Sequence, residues 1–445
     1  EALPRLVIIR GRASQWAFPG RAWERVNSKF KIQNFELLRF MQIYLDYSAT
    51  TPPRPEAIAA MQEVLSTAWG NPSSVHFWGQ RAANIIEQAR SQVADLINAP
   101  AESIVFTAGG TEADNLAIMG VARGYALPQH LIISSVEHPA VAEPVKLLEK
   151  WGWSVTRLPV DRWGRVNEED LEAALQPNTV LVSIIYGQSE VGSLQPIPAL
   201  SKIARDRGIL FHTDAVQVAG RLPIDVQQMP VDLLSISSHK IYGPQGAGAL
   251  YVRPGVQLVP LLGGGGQEQK LRSGTQAVPA IAGFGIAAEL AAQEMPVETL
   301  RLMRLRDRLF SLLADTPQLI ATGHPWSRLP HHASFCFTAA SEAITGQTLV
   351  RQMNLAGIGI SSGSACHSGK LSPSPALTAM GYNRLVALGA IRLTLGKDTT
   401  EADIDWTAMT LKQILARLSP APALTKPQRK FKSAIAIILE ESDRS

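Results

Sequence analysis

Cysteine is scarce in this sequence, since Cys336 and Cys366 are the only two cysteines among 445 residues. Two cysteines cannot build a disulfide framework, and they do not form a Cys-x-x-Cys pair of the kind that holds structural zinc. The scarcity therefore argues against a disulfide-rich secreted scaffold and against a resident metal site. It predicts a protein of the reducing cytoplasm.

Long apolar runs and a strong net charge are also missing. The apolar stretch 277–288 contains Pro279 and stops at Glu289, which makes it too short to cross a bilayer. The formal net charge is only +4, and most basic residues are scattered along the chain. The sequence therefore predicts neither a membrane partner nor a nucleic-acid partner.

The first 40 residues differ from the rest of the chain. They begin with Glu1 and are rich in arginine, whereas Met41 opens a regular strand-like segment. An Arg-rich, acid-poor leader is typical of a transit peptide, which would place the protein in an organelle. A translation artefact or a tag remnant would look the same, so we treat 1–40 as an atypical extension of open origin.

The remaining chain is long enough for two domains. From Pro55 to about Gly285, short apolar runs alternate with helical patterns such as Asn167–Leu175, which predicts an α/β fold with a mostly parallel sheet. The predicted strands of this part are Ser103–Thr107, Leu131–Ser134, Val180–Tyr186, Ile209–Thr213, Leu233–Ser237 and Ala249–Val252.

A smaller α+β unit is predicted after it. Leucines between residues 300 and 313 indicate a long amphipathic helix, and a final helix is expected to begin after its cap, Thr400. Strands are predicted at Ser334–Thr338 and Ile391–Leu395. The predicted organisation is a segment 41–54 joined to the small domain, a large domain over 55–295, a small domain over 296–420 and a tail over 421–445.

Lys240 ends the motif Ser-Ser-His-Lys and lies 26 residues after Asp214. It follows a strand pattern and precedes a glycine-rich turn, where a side chain can face a cleft. Pyridoxal 5′-phosphate (PLP) needs a lysine for a Schiff base, an acid for its ring nitrogen and a phosphate cradle. Asp214 suits the ring nitrogen, and Gln217 can reach the ring oxygen. The alternatives are a solvated lysine and an acid that caps a turn.

Two further strand ends carry candidate groups. The glycines before Thr111 let the backbone approach an anion at the start of a helix, although Gly-Gly-Thr is also a common turn. His138 can stack on a flat ring and move protons near neutral pH, or it can be a surface histidine bonded to its own loop.

The two cysteines lie in different surroundings. Cys366 belongs to a segment of small residues, Ser361–Gly369, which predicts an exposed thiol whose ionisation His367 can favour. Cys336 lies in an apolar strand pattern and is predicted to be a small buried hydrophobe.

From Met41 to about residue 420 the chain resembles the NifS/IscS family of cysteine desulfurases, which are PLP enzymes of the aminotransferase class V group. The form Ser-Ser-Gly-Ser-Ala-Cys is similar to the group with a long mobile cysteine loop. The matching stretches are Tyr44–Thr51, Gly70–Ser74, Phe106–Asn115, Glu137-His138, His212–Gln217, Ser237–Lys240, Gly243-Pro244, Arg272–Thr275 and Ser361–Cys366.

The resemblance implies fold type I of PLP enzymes, an α/β large domain with a mixed, mostly parallel sheet, a smaller α+β domain and a homodimer. It implies that Lys240 carries PLP, that His138 stacks on the ring and transfers protons, that Asp214 holds the ring nitrogen and that Gln217 holds the phenolic oxygen. The implied phosphate ligands are Gly110, Thr111, Ser237, His239 and, from across the dimer interface, Thr275.

The same resemblance implies the roles of the substrate side. Arg392 would clamp the substrate carboxylate, as suits a bidentate guanidinium. Cys366 would take the sulfur of L-cysteine as a persulfide, release alanine and pass the sulfur to an acceptor or iron–sulfur scaffold protein. No resident metal is implied, and Cys366 would at most be a transient iron–sulfur ligand.

The chain departs from the family pattern at two places. Gln188-Ser189 replaces the usual pair of asparagines, so Ser189 is expected to contact cofactor or substrate through a shorter side chain, or Gln188 to substitute for it. His367 replaces a small hydroxyl residue. We expect the first change to tune the activity and not to abolish it.

The sequence thus predicts a PLP-dependent cysteine desulfurase, a sulfurtransferase for iron–sulfur cluster or thiocofactor synthesis. A selenocysteine lyase would use the same residues, and the release of alanine from cysteine and selenocysteine separates the two activities. A non-catalytic subunit of the same fold is the alternative from another class. A yellow colour that a Lys240→Ala variant loses would exclude it.

Overall fold

The computed structural model describes residues 42–338, 341, 344–363, 366–367 and 370–418, and from 364 to 371 it describes no side chains. The predicted extension 1–40 and the predicted tail 421–445 lie outside the described residues.

The described helices confirm the capping patterns read from the sequence. Asn167 accepts a hydrogen bond from the Glu169 N–H (3.2 Å) at the start of the predicted helix. Thr400 and Asp403 bond each other's backbone N–H at the start of the last one. The helices α1 to α11 are Pro55–Thr67, Phe77–Asp95, Gly110–Ala122, Pro139–Lys150, Glu168–Ala174, Ile197–Arg205, Val278–Leu313, Gly346–Leu355, Pro375–Ala379, Arg384–Leu388 and Glu401–Leu418.

The long helix α7 begins at Val278, well before the leucine pattern that predicts it. Pro279 lies in its first turn, where no backbone N–H is needed. Gly285 lets α2 approach closely, because a Cβ at this position would lie 2.7 Å from the Cβ of Ala89. The predicted domain boundary between residues 295 and 296 falls inside this helix, and the domain limits stay predictions.

The largest sheet among the described residues is a mixed sheet. The strands β1 to β15 are Ile43–Tyr44, Ile104–Thr107, His130–Ser134, Ser154–Leu158, Thr179–Ser183, Leu210–Asp214, Leu233–Ser237, Gly248–Val252, Leu319–Ala321, His332–Phe337, Ile358–Gly359, Ser361–Ser362, Cys366–His367, Lys370–Leu371 and Ala390–Thr394. Seven of them form a sheet in the order β2-β8-β7-β6-β5-β3-β4, in which only β8 runs antiparallel to its neighbours. The predicted α/β fold with a mostly parallel sheet is confirmed.

A second, antiparallel sheet has the order β12-β15-β10-β9. The N-terminal strand β1 pairs in parallel with β11, which ties the start of the described chain to this half. The sequence analysis did not predict β4 or β9. Strand β4 is a partly exposed edge strand, so it lacks the apolar run of a buried one.

The core lies on both faces of the large sheet and under the small one. One apolar cluster packs β2, β5 and β6 against α2 and α7, and another packs β3 against α3 and α4. A third joins β10 and β15 to the end of α7 and to α11. None of the described helices is long and apolar enough to cross a membrane.

A buried ion pair fixes the edge of the large sheet beside the glycine turn. Glu268 accepts hydrogen bonds from Arg90 Nη1 (2.7 Å) and from the backbone N–H of Phe106 (2.8 Å). Arg90 also donates to the carbonyl of Ile104 (2.8 Å). Glu268 opens three consecutive residues with positive φ, a conformation that non-glycine residues rarely adopt. The ion pair therefore holds a strained turn against β2.

We expect Glu268→Ala to lower the free energy of unfolding by about 3–5 kcal/mol, because it leaves the buried Arg90 guanidinium with only the exposed Glu87 carboxylate as a charged partner. Urea or thermal unfolding measures the change. The matched control is Glu143→Ala at the exposed pair with Lys146, which should change the stability by less than about 1 kcal/mol. A Glu268→Ala variant as stable as the control would contradict the role of the pair.

Candidate active site

A cavity of about 240 Å³ lies at the carboxyl ends of the parallel strands β3, β5, β6 and β7. Ligands of open α/β sheets bind at this edge. The lining residues are Ser48, Ala49, Gly110, Thr111, Asp114, His138, Ile185, Ser189, Asp214, Val216, Gln217, Ser237, His239, Lys240 and Arg392. They include most of the side chains that the sequence analysis selected.

Lys240 ends a short turn after β7 and points its amine at the segment that follows β1. Its Nζ donates hydrogen bonds to the carbonyls of Ser48 (2.7 Å) and Ala49 (2.6 Å). Burial lowers the pKa of Lys240 to about 8, and the charges of Arg221 and Arg392 contribute to this shift. A substantial fraction of the amine is therefore neutral, and able to form a Schiff base, at mildly alkaline pH.

Asp214 ends β6 at the bottom of the cavity. Its Oδ1 accepts a hydrogen bond from the Val216 N–H (2.9 Å). Burial raises the pKa of Asp214, whereas the neighbouring His138 and Lys240 lower it. Asp114 lies beside it, and burial together with the Asp214 charge raises the pKa of Asp114 well above its usual value. A protonated ring nitrogen would supply the cation that this buried carboxylate needs.

His138 caps α4 and faces the same acid. Its Nδ1 accepts a hydrogen bond from the Ala140 N–H (3.1 Å), so the proton of the neutral ring is on Nε2. Burial lowers the pKa of His138, although the Asp214 charge opposes the shift. A neutral imidazole with one fixed N–H can stack on a ring and exchange a proton at Nε2.

The opposite end of the cavity suits an anion. Helix α3 begins at Gly110, where a Cβ would lie 2.8 Å from the Val216 side chain, so that only glycine fits. The helix N-terminus and the hydroxyl of Thr111 can hold a phosphate. Burial, Lys240 and Arg221 lower the pKa of His239 to about 4, which makes it a neutral donor. The cradle in this chain therefore consists of neutral donors.

Arg392 lies on β15 and reaches the cavity from the small sheet. Its Nη2 pairs with Asp46 Oδ1 (2.7 Å), and its Nη1 donates to the carbonyl of Ser189 (3.0 Å). The two residues that replace the usual pair of asparagines, Gln188 and Ser189, lie in different places. Ser189 lines the cavity, whereas Gln188 lies outside it and bonds the backbone N–H groups of Glu190 and Val191. Gln188 therefore does not take over the cavity position.

Cys366 lies four residues after the end of a strand that pairs with the strand of Arg392. Ser361 on β12 is the register partner of Arg392 on β15, and Cys366 begins the short strand β13, which pairs with β14. The side chains of Cys366 and His367 lie outside the described residues. Cys336 is buried, and burial raises the pKa of its thiol to about 12, which agrees with an inert core cysteine.

The lining residues fit PLP. Four of them have a buried polar atom without a hydrogen-bond partner among the described residues, and such atoms are costly unless a ligand binds them. Three of the four atoms match an amino-acid-loaded cofactor in chemical type: an amide for the phenolic oxygen, a hydroxyl for the phosphate and a guanidinium for a carboxylate. The fourth belongs to the carboxyl beside Asp214. These atoms are Asp114 Oδ1, Gln217 Oε1, Ser237 Oγ and Arg392 Nε.

Among the predicted site residues whose side chains the structure describes, Thr275 is the one that does not line this cavity. It is exposed and lines neither this cavity nor the adjoining one, so a role for it requires a second copy. Conversely, the sequence analysis gave no role to Asp46, Ser48 or Asp114. The only signal for Asp114 was its position within the matched stretch after the glycine turn. Asp46 and Ser48 lie in the matched N-terminal stretch, but nothing in it indicated that they contact Arg392 and Lys240.

The chain is similar to known proteins over most of its length. The family model of class-V aminotransferases matches residues 43–406. The chain is 45% identical over 379 residues to Cysteine desulfurase IscS of Dictyoglomus turgidum, which covers 85% of this chain and 95% of that protein. It is 43% identical over 384 residues to Cysteine desulfurase IscS of Methanosarcina thermophila, covering 86% and 94%.

Solved structures give the same result. A NifS-like protein superposes with a TM-score of 0.79 at 35% identity, covering 85% of this chain and 100% of that one. The NifS-like protein from Rickettsia africae superposes with a TM-score of 0.76 at 31% identity, covering 84% and 100%.

The lowered pKa of Lys240 predicts the pH dependence of its reaction with an aldehyde. In protein freed of cofactor, the rate of Schiff-base formation with added PLP should rise with pH, because only the neutral amine attacks. The rate should be half-maximal near pH 8 and constant at higher pH. Stopped-flow absorbance measures the rate, and Lys240→Ala, as the control, should lack this phase. A midpoint near the ordinary lysine value would contradict the electrostatic description.

Proposed function

The chain belongs to the cysteine desulfurases of the class-V aminotransferase family, and we propose that it converts L-cysteine to L-alanine with PLP and collects the sulfur on Cys366. One observation carries the proposal: an amine, a buried acid, an anion cradle and a guanidinium converge on one cavity, and the guanidinium is on the strand paired with the one that leads to Cys366. A sulfur-collecting thiol is expected at that position.

Each residue of the cavity has a proposed role that follows from its position. The chemistry that bound PLP supplies is electron withdrawal from the amine-bearing carbon of the substrate, which prepares the carbon–sulfur bond for cleavage. Lys240 anchors the group and exchanges protons at Nζ, while Asp214 keeps the ring nitrogen protonated. His138 moves a proton at Nε2, and Arg392 orients the substrate through its carboxylate.

Cys366 acts at the sulfur. Its thiolate forms a bond to the substrate sulfur, the carbon–sulfur bond breaks with its electron pair on carbon, and that carbon takes up a proton and becomes the methyl group of alanine. The persulfide sulfur then passes to an acceptor protein, for iron–sulfur cluster or thiocofactor synthesis. Because the thiol must stay reduced between cycles, the cytoplasm is the proposed location.

The active unit is proposed to be a homodimer. Large apolar side chains are exposed at the end of α1 and the start of α2, and Phe77 and Trp78 are 69% and 53% exposed with ring centroids 6.3 Å apart. Single exposed apolar residues are common on protein surfaces, but a contiguous exposed apolar patch is typical of an interaction site. A second cavity of about 580 Å³ adjoins the phosphate end and shares Gly110, Thr111, Ser237 and His239 with the first. Thr275 of the second copy would complete the cradle there.

Incubation with L-cysteine should add one sulfur atom to Cys366 and release alanine. Mass spectrometry of peptides locates the sulfur, and Cys366→Ser should bind the cofactor normally but acquire none. Cys336→Ala is the matched control and should load like the wild type, because Cys336 is buried. Sulfur found elsewhere, or alanine released at the normal rate by Cys366→Ser, would contradict the role of Cys366.

Phe77→Asp together with Trp78→Asp should convert the dimer to a monomer, because two charges would be buried in the interface. Sedimentation equilibrium measures the mass. Trp326→Asp is the control, since Trp326 is 67% exposed but lies outside the patch, and it should leave the dimer intact. A wild-type monomer, or a double variant that stays dimeric, would overturn the proposed interface.

A further inference from the structure

Two adjacent histidines, His331 and His332, lie at the beginning of β10 behind the cavity wall. Both are fully buried, and neither lines the cavity. The sequence analysis gave them no role. Each nevertheless contacts a loop that holds one of the two cations of the site, so the pair lies between the core of the small sheet and the active-site groups.

Both imidazoles are neutral. Burial lowers the pKa of His331 well below its usual value, with a further contribution from Arg221. Burial and the charge of Arg328 lower the pKa of His332 in the same way. The Nδ1 atom of each ring is buried and has no hydrogen-bond partner among the described residues. The hydrogen bonds of both rings are therefore formed by their Nε2 atoms.

His332 acts on the loop of Ser189. Its Nε2 lies 3.1 Å from the Ser189 carbonyl and donates to it, because a carbonyl can only accept. The same oxygen accepts from Arg392 Nη1 at 3.0 Å. Its two lone pairs are thus divided between the buried histidine and the arginine, and the position of the carbonyl sets the position of the guanidinium.

His331 acts on Ser48 in the segment after β1. Its Nε2 lies 3.1 Å from Ser48 Oγ. The Ser48 N–H donates to Thr394 Oγ1 (2.9 Å), and the Ser48 carbonyl accepts from Lys240 Nζ (2.7 Å) and from Gln217 Nε2 (2.9 Å). Ser48 is therefore held from behind by His331 and Thr394, and it presents its carbonyl to the lysine.

We propose that His331 and His332 are positioning residues with separate tasks: His332 places Arg392 through the Ser189 carbonyl, and His331 places Lys240 through Ser48. The assignment to substrate binding rests on the proposed function, whereas the contacts do not. Loss of His332 should therefore impair the binding of an amino acid, and loss of His331 should impair the attachment of the cofactor.

The test compares alanine and glutamine variants at both positions, since the Nε2 of glutamine can replace the N–H of the ring. His130→Ala is the matched control for the loss of a buried histidine. His130 is also fully buried, and its ring nitrogens form hydrogen bonds with the hydroxyls of Thr179 and Thr156. It begins β3, at the end of that strand that lies away from the cavity. Two quantities are measured: the rate at which cofactor-free protein forms its Schiff base with PLP, and the dissociation constant of L-alanine from the loaded protein by absorbance.

His332→Ala should weaken L-alanine binding about tenfold, as expected for one lost hydrogen bond, and should leave the rate of cofactor attachment unchanged. His331→Ala should slow cofactor attachment about tenfold and leave L-alanine binding unchanged. The glutamine variants should restore most of each loss, and His130→Ala should alter neither quantity.

Equal effects of both alanine variants on both quantities, a similar effect of His130→Ala, or no rescue by glutamine would overturn the proposal. A failure of the proposed function gives a different result from a failure of the histidine proposal. If the wild-type protein binds PLP and L-alanine but releases no sulfur from L-cysteine, the desulfurase assignment fails, while the two measurements still decide the roles of the histidines. A wild-type protein that binds no PLP would overturn both.

Discussion

The site depends on the bond between the Lys240 amine and the segment Asp46–Ala49. Two carbonyls of this segment accept from Nζ at 2.7 and 2.6 Å, and its Asp46 pairs with Arg392 at 2.7 Å. The lysine follows a strand of the large sheet and the arginine lies on the small one. One short segment therefore sets the distance between the two cations, and charge-assisted bonds give it the strength to do so.

Burial then decides which groups are charged. It lowers the pKa of Lys240 to about 8 and that of His239 to about 4, and it raises that of Asp114 well above the usual range. Asp214 is the acid whose charge the neighbouring His138 and Lys240 favour. In the proposed function, a neutral phosphate cradle leaves Lys240 to react with the aldehyde of PLP, and the buried carboxylate of Asp214 pairs with the ring nitrogen.

The sequence predicts the groups at strand ends because a strand pattern fixes where its last side chains emerge. His138, Asp214 and Lys240 were found in this way, whereas the family resemblance supplied Ser237. Ser48, His331 and His332 were not, because they act through carbonyls or contacts between distant segments, which leave no local pattern. Helix α7 was predicted only from its leucine-rich second half, since its alanine- and glycine-rich first half lacks a one-sided apolar stripe.

The departure at Ser189 shows why such backbone contacts matter. The group that meets Arg392 and His332 is the Ser189 carbonyl, and every residue type supplies a carbonyl. Replacing the usual asparagine therefore shortens a side chain in the cavity wall but keeps the contact that places the guanidinium. The substitution affects what the side chain can donate to a ligand, while the placement of the Arg392 guanidinium depends on the backbone carbonyl and on the histidine behind it.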